Sequence, residues 1–257
     1  MEAPMELLRQ SINPSFTMNA PDIMPLPSFP AFATDFKSRT MNPITTGTSV
    51  VALKFDGGVM MAADTLGSYG SLARFPNIER LLRVNDSTII GASGDYADYQ
   101  YLRDIIEQKV IDEACQDDGF GIKPKNLHCW LTRVMYNRRS KFNPLWNIYV
   151  VAGLQDGVPY LGYVDKIGTS FEAPQVVSGL GGYLALPLLR DAVEKKPKMN
   201  QQEARAAIGD AMRLLFYRDC QAFHKYHLGV ITKDGAKIEG PFEVDVNWDL
   251  GYHIHGY

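Results

Sequence analysis

The chain has 257 residues, of which 46% are hydrophobic and 21% charged, with a formal net charge of -3. This is the composition of an ordinary globular protein able to bury a substantial core, and its slightly acidic balance argues against nucleic acid or an anionic membrane as main partner. Cys115, Cys129 and Cys220 are odd in number and far apart, which argues against a disulfide framework and for a reducing, intracellular compartment.

The opening MEAPMELLRQ lacks a basic stretch leading into a long apolar one, so no signal peptide is expected. No apolar run approaches the roughly 20 residues that span a bilayer. His128, His224, His227, His253 and His255 fall at no metal-ligand spacing; His253 and His255 come nearest, in too weak a pattern to predict a site. Neither a metal nor a cofactor is expected. Residues 11–44 scatter Pro14, Pro21, Pro25, Pro27, Pro30 and Pro43 among Ser, Asn and Thr, the pattern of an extended arm or a propeptide.

The body opens on a hairpin, TSVVALKF and VMMAAD joined at DGG. The strand STIIGASG then leads into a helix that Asp95 can cap, with Leu102, Ile105, Ile106 and Val110 on one stripe. A second helix carries Leu127, Trp130, Leu131, Val134 and Met135 at helical spacing and ends in the basic NRRSK, where positive charge suits the macrodipole. The strands NIYVVAGL and PYLGYVD flank QDGV. After SGLGG come the helices YLALPLLRDAVEKK and QQEARAAIGDAMRLLFYRD, and HLGVITKDGAKIEG closes the body as a hairpin. Paired helices between antiparallel hairpins predict a layered α+β fold, with sheets packed on each other and helices outside.

GTSVVALKFDGGVMMAAD, then GASGDYAD opening a helix, then YRD closing the last long helix before a KDG hairpin, resemble the β subunits of the 20S proteasome over roughly residues 40–240. The resemblance implies a four-layer αββα sandwich, the N-terminal nucleophile hydrolase fold, within a stacked four-ring barrel for ATP- and ubiquitin-dependent protein degradation in cytoplasm and nucleus. Finer stretches, NPITTGTSV, LGSYGSLARF, SGDYADYQYL, RRSKFNPLWN and EGPFEVDVNWD, are similar to the non-proteolytic member at the seventh β position. The partners so implied are neighbouring β subunits in the same and the opposite ring, α-ring subunits and assembly chaperones, with no nucleic acid and no membrane.

An N-terminal threonine peptidase needs a threonine hydroxyl, the same residue's free α-amine as base, and polar groups that orient both. The resemblance places Thr48, after Gly47, at the nucleophile and Asp64 at the acid that pairs with a lysine. The lysine position falls on Arg80, whose guanidinium cannot give up its proton. Asp219 of YRD is in place, but Ala222 stands where active members carry a serine, and Leu180 replaces another. Thr48, Asp64, Arg80, Asp219 and Ala222 therefore read as a degenerate site, with Gly47 and Thr48 left joined in a continuous strand.

By the same resemblance, chain processing is expected between Arg39 and Thr40, dividing the chain into an arm (1–39), the β-type domain (40–240) and a tail (241–257). Trp248, Tyr252 and Tyr257 would anchor that tail on neighbouring subunits, the opposite β ring included. Plainer readings stand beside these: Thr48 as a β-branched strand residue, Asp64 paired with Arg80 as a buried remnant, and Gly94 as a matter of backbone geometry. RRSK reads as a solvated or interface face, and Cys129 as helix packing. The rivals are an active threonine endopeptidase subunit and a free-standing binding module that reuses the fold.

Overall fold

The computed structural model describes residues 42–249. β1 (Thr45–Gly47) ends before Thr48, and β2 (Val50–Phe55) turns through Asp56 and Gly57 into β3 (Gly58–Asp64). Gly57 has φ +97°, a backbone state that glycine adopts without strain. β4 (Gly67–Tyr69), β5 (Leu72–Phe75), β6 (Leu81–Asn85) and β7 (Thr88–Asp95) precede the helices α1 (Tyr96–Gln116) and α2 (Pro124–Ser140). β8 (Asn147–Gln155), β9 (Val158–Val164), β10 (Ser170–Glu172) and β11 (Gln175–Val177) lead to α3 (Gly181–Lys195) and α4 (Gln201–Arg218). The hairpin of β12 (Lys225–Thr232) and β13 (Gly235–Glu243) follows.

The strands form two antiparallel sheets. One has the order β10-β9-β8-β7-β1-β4-β5 with β6 also on β7, and the other the order β11-β2-β3-β12-β13. Successive residues of β2 face opposite ways, and both faces are covered. Val50 and Ala52 meet Ile89, Val150 and Leu161 of the first sheet, while Val51 and Leu53 meet Ala185, Ile208 and Met212 of α3 and α4. On the other side, Ile90, Tyr149 and Val151 carry Leu102 and Ile106 of α1 with Leu127, Leu131 and Met135 of α2. The result is the predicted α+β, four-layer αββα sandwich, the N-terminal nucleophile hydrolase fold. Each fully buried aliphatic side chain in these three cores contributes about 1.5–3 kcal/mol.

Local chemistry sets the helix ends. The Asp95 carboxylate accepts from Asp98 N at 3.0 Å to start α1. Asn200 and Glu203 form a capping box at α4. The stripes are narrower than expected: Leu102 and Ile106 are buried, whereas Ile105, Val110, Trp130 and Val134 are only partly covered.

Two expectations are corrected. Thr48 is not in a strand: the chain leaves the first sheet at Gly47 and enters the second at Val50, with Thr48 and Ser49 as the crossing. The run from Thr45 to Phe55 is therefore two strands in two sheets, because Thr46 and Gly47 pair with β7 while Val50 pairs with β3. Cys129 is not packing either. It is exposed, since α2 turns His128 toward β9 and Cys129 away from it.

Candidate functional site around Thr48 and Arg80

β1 lies between β7 and β4, with Thr46 opposite Asp95 and Ser68, Gly47 opposite Gly94, and Thr45 opposite Tyr69. The residues just upstream of Thr48 therefore occupy the space between those two strands. Gly94, at φ +97°, is fixed by backbone crowding: a Cβ there would run into the Trp146 carbonyl.

Arg80 enters this crossing from the residue before β6. It is only 2% exposed, the bulkiest of the fully buried side chains among the described residues. All five of its N–H groups find acceptors. Nε donates to the Asp64 carbonyl at 3.1 Å. One terminal nitrogen donates to the carbonyls of Thr48 at 2.8 Å and Ala92 at 3.2 Å. The other donates to the Ser49 carbonyl at 3.2 Å and to the Asp64 carboxylate, completing an ion pair. A guanidinium buried so deeply is tolerated because none of its donors is left unpaired.

Asp64 closes β3 and is 1% exposed. Its second oxygen accepts from Thr48 Oγ1 at 3.1 Å and from Phe223 N at 3.0 Å. Burial pushes this carboxyl above the usual carboxylate range; the Arg80 charge, the Phe223 amide and the Thr48 hydroxyl oppose the shift. Asp219 caps α4, takes the Gln221 amide at 3.0 Å, and accepts Ala222 N at its carbonyl at 3.1 Å. That turn presents Phe223 N to Asp64. Ala222 packs beside the core under α3 and α4 and contributes no polar atom from its side chain.

The structure thus brings Thr48, Asp64 and Arg80 into direct contact, and reaches Asp219 and Ala222 through the Phe223 turn. The Thr48 hydroxyl donates its hydrogen bond to a carboxylate that is itself held by a cation. In the continuous chain the Thr48 nitrogen is an amide, without a basic lone pair.

Two serines escaped the sequence reading. Ser49 Oγ accepts Gly181 N at 2.8 Å, and Ser178 Oγ accepts Val50 N at 2.9 Å, which ties the crossing to the start of α3. Their signal was the SGLGG stretch, but the partners lie some 130 residues apart, as at Val50 and Ser178. Leu180 occupies the N-cap of α3 and makes no capping bond.

Arg39, Thr40, Tyr252, Tyr257, His253 and His255 lie outside the described residues. Trp248 is described, and it rests on its own chain: its ring meets Tyr217 at 4.9 Å and Phe216 at 6.0 Å, with 58% of its surface exposed. Among the described residues no group of three or more His, Cys, Asp or Glu side chains could hold a metal, and no helix is long and apolar enough to cross a membrane. His128 is buried between two partners: Nε2 donates to the Tyr163 carbonyl at 3.0 Å, and Nδ1 shares a hydrogen bond with the Tyr160 hydroxyl at 2.7 Å.

An αββα sandwich with a threonine at the crossing between its sheets, hydrogen-bonded to a buried carboxylate, defines a protein built on the N-terminal nucleophile hydrolase plan. The family model for "Proteasome subunit" matches residues 44–231, and the chain belongs to that family. It is 53% identical over 219 residues to proteasome subunit beta type-4 of Xenopus laevis, covering 85% of this chain and 90% of the relative. It is 44% identical to the beta type-4 subunit of Dictyostelium discoideum (84% and 83% covered) and 42% identical to proteasome subunit beta type-7 of Saccharomyces cerevisiae (85% and 86%).

Proposed function

We propose that this chain is a non-catalytic structural and assembly subunit of the 20S proteasome core particle, at the seventh β position. The observation that carries this reading is Arg80. Its five hydrogen bonds leave no lone pair and no mobile proton where a peptidase needs a group that exchanges one. A second support is β1: the strand before Thr48 is paired on both sides, so a peptide substrate finds no free edge beside the hydroxyl.

In this reading residues 1–39 are a propeptide arm removed between Arg39 and Thr40, residues 40–240 are the ring-building domain, and the tail reaches neighbours in the same and opposite β ring. α-ring subunits and assembly chaperones complete the partners, in cytoplasm and nucleus. The test is to treat the intact particle with an electrophile that needs a free N-terminal threonine, and to sequence the mature N-terminus. A chain beginning at Thr40 with unlabelled Thr48 is expected. Covalent labelling of Thr48 would instead establish an active threonine endopeptidase.

A further inference from the structure

After β13 the chain is tied down twice. Val244 N donates to the His224 carbonyl at 2.8 Å, and the Val244 side chain packs against the core beneath α3 and α4. The second tie is at Tyr217, whose hydroxyl accepts from Asn247 N at 2.6 Å and donates to the Asn247 carbonyl at 3.3 Å. There the Trp248 ring stands edge-on to Tyr217 at 4.9 Å and to Phe216 at 6.0 Å.

Between the two ties the packing is open. Asp245, Val246 and Asn247 line a cavity of about 200 Å³ with Arg213 and Tyr217, where a permanently docked segment would be close-packed. With 58% of its surface exposed, Trp248 realises less than half of the burial its ring could give. A segment held by so few buried contacts opens at low cost.

The seat of Trp248 is joined to the buried site by a line of half-buried rings. Phe216, which meets Trp248, also meets His224 at 6.2 Å, and His224 lies against Phe223 at 4.2 Å. Phe223 N is the donor to Asp64 at 3.0 Å, and Asp64 holds Thr48 and Arg80. His224 is thus tied at both ends of the relationship, by its carbonyl to Val244 and by its ring to Phe223.

We propose that Asn247 and Trp248 form a releasable latch that stores the tail on its own α4, and that its opening loosens the bond between Phe223 N and Asp64. Seated, Trp248 confines Phe216 and, through the His224 ring, the Phe223 turn. Lifted, it frees Phe216 to repack. The two states are the tail on Tyr217 and the tail off it, so the coupling is reciprocal: a well-formed Phe223 turn favours the seated tail. The latch also restrains assembly, because a Trp248 seated on its own chain is withheld from a neighbour; this consequence rests on the reading of the chain as a subunit whose tail reaches its neighbours.

The experiment measures hydrogen exchange, amide by amide, on the full-length wild-type chain and on Trp248→Ala and Tyr217→Phe. Both variants are expected to speed exchange at Phe223 roughly two- to tenfold while the amides of α1 keep their wild-type rates. Unchanged exchange at Phe223 overturns the coupling, even with a rise at Asn247. An equal rise throughout α1 marks general destabilisation and overturns it as well. In a Phe216→Leu background, Trp248→Ala should add nothing further at Phe223; a fully additive effect would show that Phe216 carries no coupling.

Assembly supplies the second measurement. Tyr217→Phe weakens the latch and leaves Trp248 intact, so in cells that build the particle, half-particles containing it should join faster than wild type, again roughly two- to tenfold. Joining at or below the wild-type rate overturns the restraint. A wild-type chain absent from the particle would instead overturn the assembly reading, and the exchange rates would still decide the latch.

Discussion

Arg80 lies across the face of Gly47 so closely that a Cβ at residue 47 would stand 2.9 Å from Arg80 Nε and nearer still to Cδ. The guanidinium cannot yield, because moving it breaks bonds to four carbonyls and a carboxylate. Gly47→Ala is therefore expected to destabilise the fold by about 1–3 kcal/mol, the usual cost of overpacking. A denaturation midpoint equal to the wild type's would show that Arg80 is free to shift.

The same pair explains what the sequence could and could not reveal. Four helices and the longer hairpins were legible because their periodicity and turn chemistry are local, as in VVALKF-DG-GVMMAAD. β1, β4, β5 and β6 were not: they are three to five residues long, too short for a period to show even where, as in β4–β5 and β6–β7, the partner is the next strand. The site residues could be placed by resemblance, but the break at Thr48 could not. It depends on Arg80 and on the Ser49 and Ser178 bonds meeting there from remote parts of the chain.

Placing a lysine at residue 80 tests how far the proposed non-catalytic role rests on Arg80. A lysine brings three donors to acceptors that now receive five bonds, so buried carbonyls among Thr48, Ser49 and Ala92 lose partners. Arg80→Lys should cost about 1–3 kcal/mol and leave Thr48 unreactive toward the electrophile, since the Thr48 nitrogen remains in a peptide bond. Labelling in this variant would mean that one substitution suffices to revive processing.

Arg80→Met is the harsher change, for it leaves Asp64 buried without its cation and should cost about 3–5 kcal/mol. Adding Asp64→Leu removes the orphaned charge, and the double variant should recover part of the loss. Equal midpoints for the single and double variants would show that Asp64 accepts a proton at little cost once Arg80 is gone.

His227, on β12 opposite Ala63, is half-buried. Burial holds its imidazole below the ordinary 6.5, with Glu79 opposing the shift and Arg80 adding to it. The folded state therefore binds this proton less readily than the unfolded chain does. Stability is complete above about 6.5 and is lost as pH falls from there through the lowered folded value. His227→Gln should flatten that part of the stability profile relative to wild type; parallel profiles would assign the acid sensitivity to other groups.

The tail offers the last test. β13 runs to Glu243, so a truncation that spares the sheet must begin at Val244. Beyond it, Asn247 N donates to the Tyr217 hydroxyl at 2.6 Å, and the Trp248 ring packs on the same tyrosine, so Asn247 and Trp248 are seated on α4. Tyr217→Phe removes that acceptor and should speed amide exchange at Asn247 while shifting global stability by only about 0.5–1.5 kcal/mol. If the tail serves assembly, deletion of residues 244–257 should leave the sandwich folded and impair joining of half-particles. A truncated chain that enters full particles at normal yield would confine the role of Trp248 to packing on Tyr217 and Phe216.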